Sequence, residues 1–131
     1  MVKRSTPSSS VPASSAFGPA IASAPADMRR EALYLTLAQV PPGHVVSYGQ
    51  LGELAGMLRA ARWVGRTLSQ LPEGTSLPWH RVIAAGGRLS LPLGTPAGEE
   101  QRARLRAEGV SVHNNRVDMR RHGWHPMPRS G

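Results

Sequence analysis

Ser47-Tyr48-Gly49-Gln50, with Leu51, Leu54 and Ala55 behind it, constrains the fold more than any other stretch of the chain. It has the Ser-x-x-Gln form of a capping box, in which the serine satisfies an orphan backbone N–H and the glutamine reaches back. A short helix is therefore predicted from there to about Gly56, burying Leu51, Leu54 and Ala55. A second is predicted from about Arg59 to Gln70, with Ala61, Val64 and Leu68 inward and Arg59, Arg62 and Arg66 recurring at i, i+3 and i+7 on another side. Two short helices joined by a turn near Gly56, the second bearing an arginine stripe, form the pattern of a helix-turn-helix whose second member enters a DNA groove. Charge pattern alone also allows a solvated arginine face.

Placement matters because the composition is strongly basic. The 131 residues carry 16 Lys and Arg against 8 Asp and Glu, a net charge of +8, and all the cations but Lys3 are arginine. Arginine suits planar, bidentate contact with phosphate and guanine edges, so an acidic polymer is the natural partner. Arginine-rich coding in a GC-rich genome produces the same bias without a partner. No stretch approaches the ~18 apolar residues of a membrane span, and the start has no apolar signal region, so a soluble cytoplasmic protein is expected, nucleoid-associated in a bacterium. The chain contains no cysteine, which excludes disulfides, thiolate-ligated metals and any thiolate nucleophile. His44, His80, His113, His122 and His125 fall into no HExxH or similar spacing, and neither metal nor other cofactor is expected.

The remaining pattern predicts a single domain over about 27–126, mainly α with short β hairpins: a winged helix-turn-helix. Residues 1–26, rich in Ser, Pro and Ala, are predicted to be a disordered tail, and 127–131 a C-terminal one. Asp27 reads as the N-cap of a helix from Met28 to Val40 with Leu33, Leu37 and Val40 at helical spacing, stopped by Pro41-Pro42-Gly43. Leu71-Pro72-Glu73-Gly74 ends the arginine-bearing helix. Gly86-Gly87 turns the chain toward Leu89-Ser90-Leu91 in the shape of a wing hairpin. Thr95-Pro96 opens a helix to about Glu108, which Gly109 terminates. Val110–Val112 and Val117–Met119 flank His113-Asn114-Asn115-Arg116, whose asparagines tolerate the positive φ of a tight turn, so a last hairpin is predicted. No oligomer seam is visible, so a monomer is expected.

Between the third helix and the wing lies Leu77-Pro78-Trp79-His80-Arg81-Val82-Ile83. Proline fixes the chain ahead of the tryptophan, and two β-branched residues behind it read as a short strand, so Trp79 is a positioned surface. Ordinary packing is the alternative. The heptapeptide closely resembles the Pro-Cys-His-Arg-Val active-site motif of the O6-alkylguanine-DNA alkyltransferases, with Trp79 where those enzymes keep their nucleophilic cysteine. That exchange marks the alkyltransferase-like proteins. The resemblance runs from about Asp27 to Pro126, and Val46-Ser47-Tyr48, Ala60-Ala61-Arg62-Trp63-Val64-Gly65 and Glu108-Gly109 also resemble family segments.

The resemblance implies a role for each position. Tyr48 would turn the phosphate of a target nucleotide, and Arg62 would fill the gap that the extruded base leaves. Ser47, Arg59, Ala61, Gly65 and Arg66 would belong to the DNA-binding face, and Pro78, Trp79, His80, Arg81 and Val82 would border the lesion pocket. Glu108 would stand at the family's proton-relay position with His80. The physics agrees: a modified base inside the stack has to be rotated out, at a cost of ~a few kcal/mol. A guanidinium in the vacated position and an aromatic wall, worth ~1–3 kcal/mol per stacked base, offset that cost.

Several positions keep two readings. Tyr48 also suits packing against the first helix, Trp63 suits either core or DNA backbone, and Arg81 suits either its own loop or DNA. The chain departs from the family at Leu71, where active enzymes carry a hinge asparagine. It departs again in the pocket wall, where Leu89-Ser90-Leu91-Pro92-Leu93-Gly94 replaces a Tyr-Ser-Gly-Gly segment, and Pro92 stands where some relatives place a sensing arginine. The family's implied function is non-enzymatic: to bind duplex DNA, flip O6-alkylguanine into a Trp-bordered pocket and mark it for nucleotide excision repair proteins. A generic helix-turn-helix binder or regulator is the alternative. A hydrolase using His80 with Ser76 or Ser90 lacks a nucleophile elbow or third orienting group.

Overall fold

Proline and glycine divide the chain into short segments, and the computed structural model describes residues 24–126 as five helices and four two-residue strands. The calls on 1–23 and 127–131 lie outside the described residues. Helix α1 spans Ala26–Leu37, β1 Val46–Ser47, α2 Tyr48–Leu54, α3 Ala61–Ser69, β2 Val82–Ile83, α4 Pro96–Ala107, β3 Val112–His113, β4 Arg116–Val117 and α5 Met119–His122. The protein is mostly helical with short strands, as expected, and α2 and α3 make the helix-turn-helix.

Strands β1 and β2 pair in parallel, Val46 with Val82 and Ser47 with Ile83. Because successive side chains alternate across a strand, this small ladder divides the core. Val46 and Val82 join Leu33, Leu37, Val40, Leu51 and Val64 on one side. Val45 and Ile83 join Leu89, Leu105, Val110 and Val117 on the other. The helix-turn-helix packs on the first side and α4 with the β3–β4 hairpin on the second. Gly52 sets the approach of α2 to α3: a Cβ there would lie 3.3 Å from Val64 Cγ2 and 3.4 Å from Ala60 Cβ. Asn114 and Asn115, at φ 52° and 62°, form the two-residue turn that joins β3 to β4, positive φ being what such a hairpin turn requires.

Four expectations need correction. Asp27 does not cap α1; Pro25 holds that position without a side-chain bond, and Asp27 lies in the first turn, paired with Arg30. The capping box is half formed. Ser47 Oγ accepts from the Gln50 N–H at 3.1 Å, but the Gln50 amide donates to the carbonyl of Trp124 at 2.6 Å, because the chain after α5 offers it a closer acceptor. Leu54 and Ala61 are exposed, and Val64 and Thr67 supply the buried face of α3. Arg59 precedes that helix in the turn, at φ 55°, so only Arg62 and Arg66 stand on α3 itself.

The wing differs as well. Gly86 and Gly87 do turn the chain, but Leu89 donates to Asn115 and Arg88 bridges Arg116, so the segment docks beside β4 and forms no hairpin with β2. The β3–β4 pair is the one antiparallel hairpin among the described residues. Helix α5 has no periodic signature at four residues. It is fixed by Asp118, which accepts from the Arg120 N–H, and by Val45, which bonds the chain on both sides of Gly123.

Candidate nucleic-acid interface

Pro78 leads into a single 3₁₀ turn, Trp79–Arg81, which throws successive side chains in different directions. His80 and Arg81 go to one carboxylate. Glu108, just past the end of α4, accepts from His80 Nε2 at 2.9 Å, from Arg81 Nε at 3.0 Å and Nη2 at 2.6 Å, and from the Gly43 N–H at 3.4 Å. Arg81 Nη1 donates to the Val40 carbonyl at 2.8 Å. Arg81 thus makes three hydrogen bonds inside the protein, to Glu108 and to Val40.

The electrostatics follow from this packing. Burial opposes ionisation of Glu108, but the hydrogen bonds from Arg81 and then His80, with the charges beside it, hold its carboxyl down at about 2. Burial pushes His80 below the ordinary imidazole range, against the pull of Glu108. A neutral His80 gives its Nε2–H to Glu108 and keeps a lone pair on Nδ1, which is buried and unpartnered. The relay geometry exists, therefore, with no thiol for it to serve. No serine hydroxyl bonds His80 among the described hydrogen bonds, and Ser90 Oγ meets Tyr48 Oη at 3.1 Å instead.

Trp79 turns the other way. Half-buried, it borders a hollow of about 120 Å³ with Tyr48, Gly65, Leu68, Val82, Leu91 and Gln101. It also borders a larger one of about 670 Å³ that extends past Leu71, Pro72, Pro96, Glu100 and Arg104. Leu68, Ser69, Trp79 and Leu91 line both. The guanidinium of Arg104 lies 5.8 Å from the indole centroid and pairs with Glu100 at 2.6 Å. Behind this wall, His80 and Arg81 line a separate recess with Pro78, Arg104 and Glu108.

The structure thus brings Tyr48, Gly65, Trp79 and Val82 to one hollow and sends His80, Arg81 and Glu108 to a hub behind it. Arg59, Arg62 and Arg66 are exposed beside α3, and none of them lines either hollow. Ser47 caps α2, and Ala61 is exposed at the start of α3. Tyr48 packs against the first core group and also lines the hollow. Trp63, half-buried, packs against the first core group with Arg29 5.3 Å from its ring centroid. Pro92 is exposed and Leu71 lines the larger hollow.

Gln101 and Arg104 were not anticipated. Gln101 had a legible signal: Gly98, Gln101, Arg102 and Leu105 form the buried face of α4, and an amide at a core-facing helical position calls for a reason. Among the described residues no group of three His, Asp or Glu side chains could hold a metal ion, and no helix is long and apolar enough to cross a membrane.

Fold and site together define a helix-turn-helix domain with an aromatic-walled hollow beside its second helix. The family model described as the 6-O-methylguanine DNA methyltransferase DNA binding domain matches residues 28–110, and the chain belongs to that family. It is 46% identical over 89 residues to a DNA base-flipping protein of Escherichia coli (strain K12), covering 67% of each chain. It is 30% identical over 99 residues to alkyltransferase-like protein 1 of Schizosaccharomyces pombe, covering 72% of this chain and 92% of that one. The crystal structure of S. pombe Atl1 with damaged DNA containing O6-carboxymethylguanine superposes with a TM-score of 0.73 at 29% identity, over 79% of this chain and all of that one.

Proposed function

We propose that this protein is a non-enzymatic reader of DNA damage that binds duplex DNA, rotates O6-alkylguanine out of the stack and holds it against Trp79. The observation that carries this reading is the position of Trp79 on the wall of both hollows, next to Tyr48 and Gly65, with Arg62 exposed on α3. Exposed Arg59, Arg62 and Arg66 meet the phosphates and the groove, while Arg62 enters the gap left by the extruded base. An alkylated guanine pairs poorly and so costs less to extrude than a normal one. Alkyl transfer to cysteine is chemically closed to a chain that has none. The base-flipping relative and the damaged-DNA complex of Atl1 support the same reading. The domain, residues 27–126, acts as a monomer, and the lesion it holds is the mark that nucleotide excision repair proteins read.

Titrating the protein with duplexes that do or do not carry a single O6-methylguanine tests this. Tighter binding to the lesion, with the base unchanged afterwards, is the expected result. Equal affinity for both duplexes would reduce the protein to a generic helix-turn-helix binder, and loss of the methyl group would make it an enzyme.

A further inference from the structure

The last hairpin carries a row of basic side chains for which lesion reading has no use. Arg116 stands opposite His113 in the β3–β4 register and opposite Arg88 in the bridge that docks the preceding segment beside β4. Directly opposed residues project to the same face of a sheet. The inward neighbours Gly87 and Val117 are buried, and Arg88, Arg116 and His113 form one exposed row across three chain segments. Like charges directly opposite one another are destabilising, yet Arg88 faces Arg116. Arg116 Nη1 donates to the Gly86 carbonyl at 3.2 Å, but among the described ion pairs no carboxylate joins Arg88, Arg116, Arg120 or Arg121. Helix α5 brings Arg121 to the same place: Ser111, His113, Arg116, Asp118 and Arg121 border a recess of about 370 Å³. Asp118, the one acid there, spends an oxygen on the Arg120 N–H.

A cationic row without counter-charge fits a polyanion. An interface with a protein needs apolar or aromatic anchors at its centre, whereas an interface with nucleic acid is polar and strongly positive. The exposed large apolar residues among those described are Met28, Leu35, Leu54, Leu58 and Leu93, and none belongs to the hairpin or to α5. No residue of α2 or α3 lines the recess, and the hairpin packs on the second core group while the helix-turn-helix packs on the first. We propose that the outer face of the β3–β4 hairpin, with Arg88 and Arg121, is a second DNA-binding surface, which takes the phosphate backbone of a separate duplex while α3 occupies the first. The opposed arginines then share phosphate oxygens and no longer only repel each other. One molecule thereby holds two DNA segments together. This surface stands apart from the Trp79 hollow, so it needs α3 as the first DNA contact and no extruded base.

The test is multi-wavelength sedimentation of the full chain with excess duplex of ~12 base pairs, with or without one O6-methylguanine. A duplex little longer than one helical turn is too stiff to bend round to both faces. The wild-type protein should form complexes of one protein with two duplexes, the second lost as salt rises with a log-log slope of about −0.9 per phosphate contacted. Arg88→Glu sets a carboxylate opposite Arg116, so it should weaken the second binding by about tenfold or more, leave the first close to unchanged and fold at least as stably. Arg121→Gln, which leaves the bridge intact, should weaken the second binding by a smaller factor. One-to-one complexes alone, or a second duplex held undiminished by both variants, overturn the proposal. So do complexes of two proteins with two duplexes, in which self-association joins the DNA, and one-to-one binding that Arg88→Glu weakens, in which both faces grip a single duplex. Poly-glutamate bound by the one-to-one complex in place of a second duplex would give the face to an acidic protein, and overturns it as well. If the first duplex binds equally with and without the lesion, the base-holding reading fails and the second surface stands.

Discussion

The two sides of the Pro78–Val82 turn are built on opposite terms. Behind it, one carboxylate gathers His80, Nε and Nη2 of Arg81 and the Gly43 N–H, and Nη1 of Arg81 ties the turn to Val40 in the segment after α1. In front, Trp79 faces open space, and a half-exposed Arg104 rests over its ring. Backbone and side chains are over-determined on one face so that the other can stay under-occupied. A recognition surface needs this division, because a guest is positioned only as well as the shell behind it is fixed. In this chain His80, Arg81 and Glu108 act as a mount.

The largest expected effect comes from breaking that mount. Glu108→Ala leaves a mostly buried guanidinium and imidazole without their acceptor and should destabilise the fold by about 2–4 kcal/mol, read from urea or thermal unfolding. Acid should do the same to the wild type. The Glu108 carboxyl titrates near 2 in the folded chain against an ordinary 4.5, so its contribution is complete above 4.5 and disappears as pH falls toward 2. His80 acts in the same direction one step earlier: its folded value lies below 6.5, so stability drops as pH falls through and below 6.5, where the unfolded chain takes up the proton first. Glu108→Gln should flatten the profile between pH 4.5 and 2. A profile identical to wild type would mean that the front of the turn, and not its back, holds Trp79 in place.

How far this division was legible depends on which forces set it. Short-range signals succeeded: Thr95-Pro96 opens α4 and the asparagine pair turns the last hairpin. Trp79 and Tyr48 were legible as a pair through the family motif, and they do line one hollow. Competition between partners was not legible. Gln50 chose Trp124, and Leu89 chose Asn115. Each choice depends on a chain segment brought close by the β1–β2 ladder, which a two-residue pattern does not announce. The start expected for α3 at Arg59 lies two residues too early, because Arg59 looks helical by spacing, yet its φ of 55° belongs to the turn.

Next in size is the arginine face, which separates the contribution of the hollow from that of charge. Arg62→Ala should weaken binding to an O6-methylguanine duplex by about tenfold, ~1.4 kcal/mol, and binding to plain duplex by less, since only the extruded state places a guanidinium in the stack. Equal losses on both would make Arg62 a phosphate contact. Arg66→Ala should act on both duplexes alike and lower the magnitude of the log-log salt slope by about 0.9. If Arg66→Ala instead changed the lesion preference, the division between a charged helix and a reading pocket would not hold.

The smallest effect concerns Arg104, which covers the open side. Its cation–π contact with Trp79 and its solvent-exposed pair with Glu100 are each worth ~0.5–1 kcal/mol at most, so Arg104→Ala should change stability by less than about 1 kcal/mol. Binding is the more informative readout, because the guanidinium rests where a purine would meet the indole. Removing it frees the ring and also removes one positive charge. Lesion affinity should therefore hold or rise while plain-duplex affinity slips, and the lesion-to-plain ratio should increase by about twofold, the gain of an uncovered aromatic face less one weak phosphate attraction. A ratio that drops would assign Arg104 to the holding of the base, so that the front of the turn, like the back, would rely on a fixed arginine.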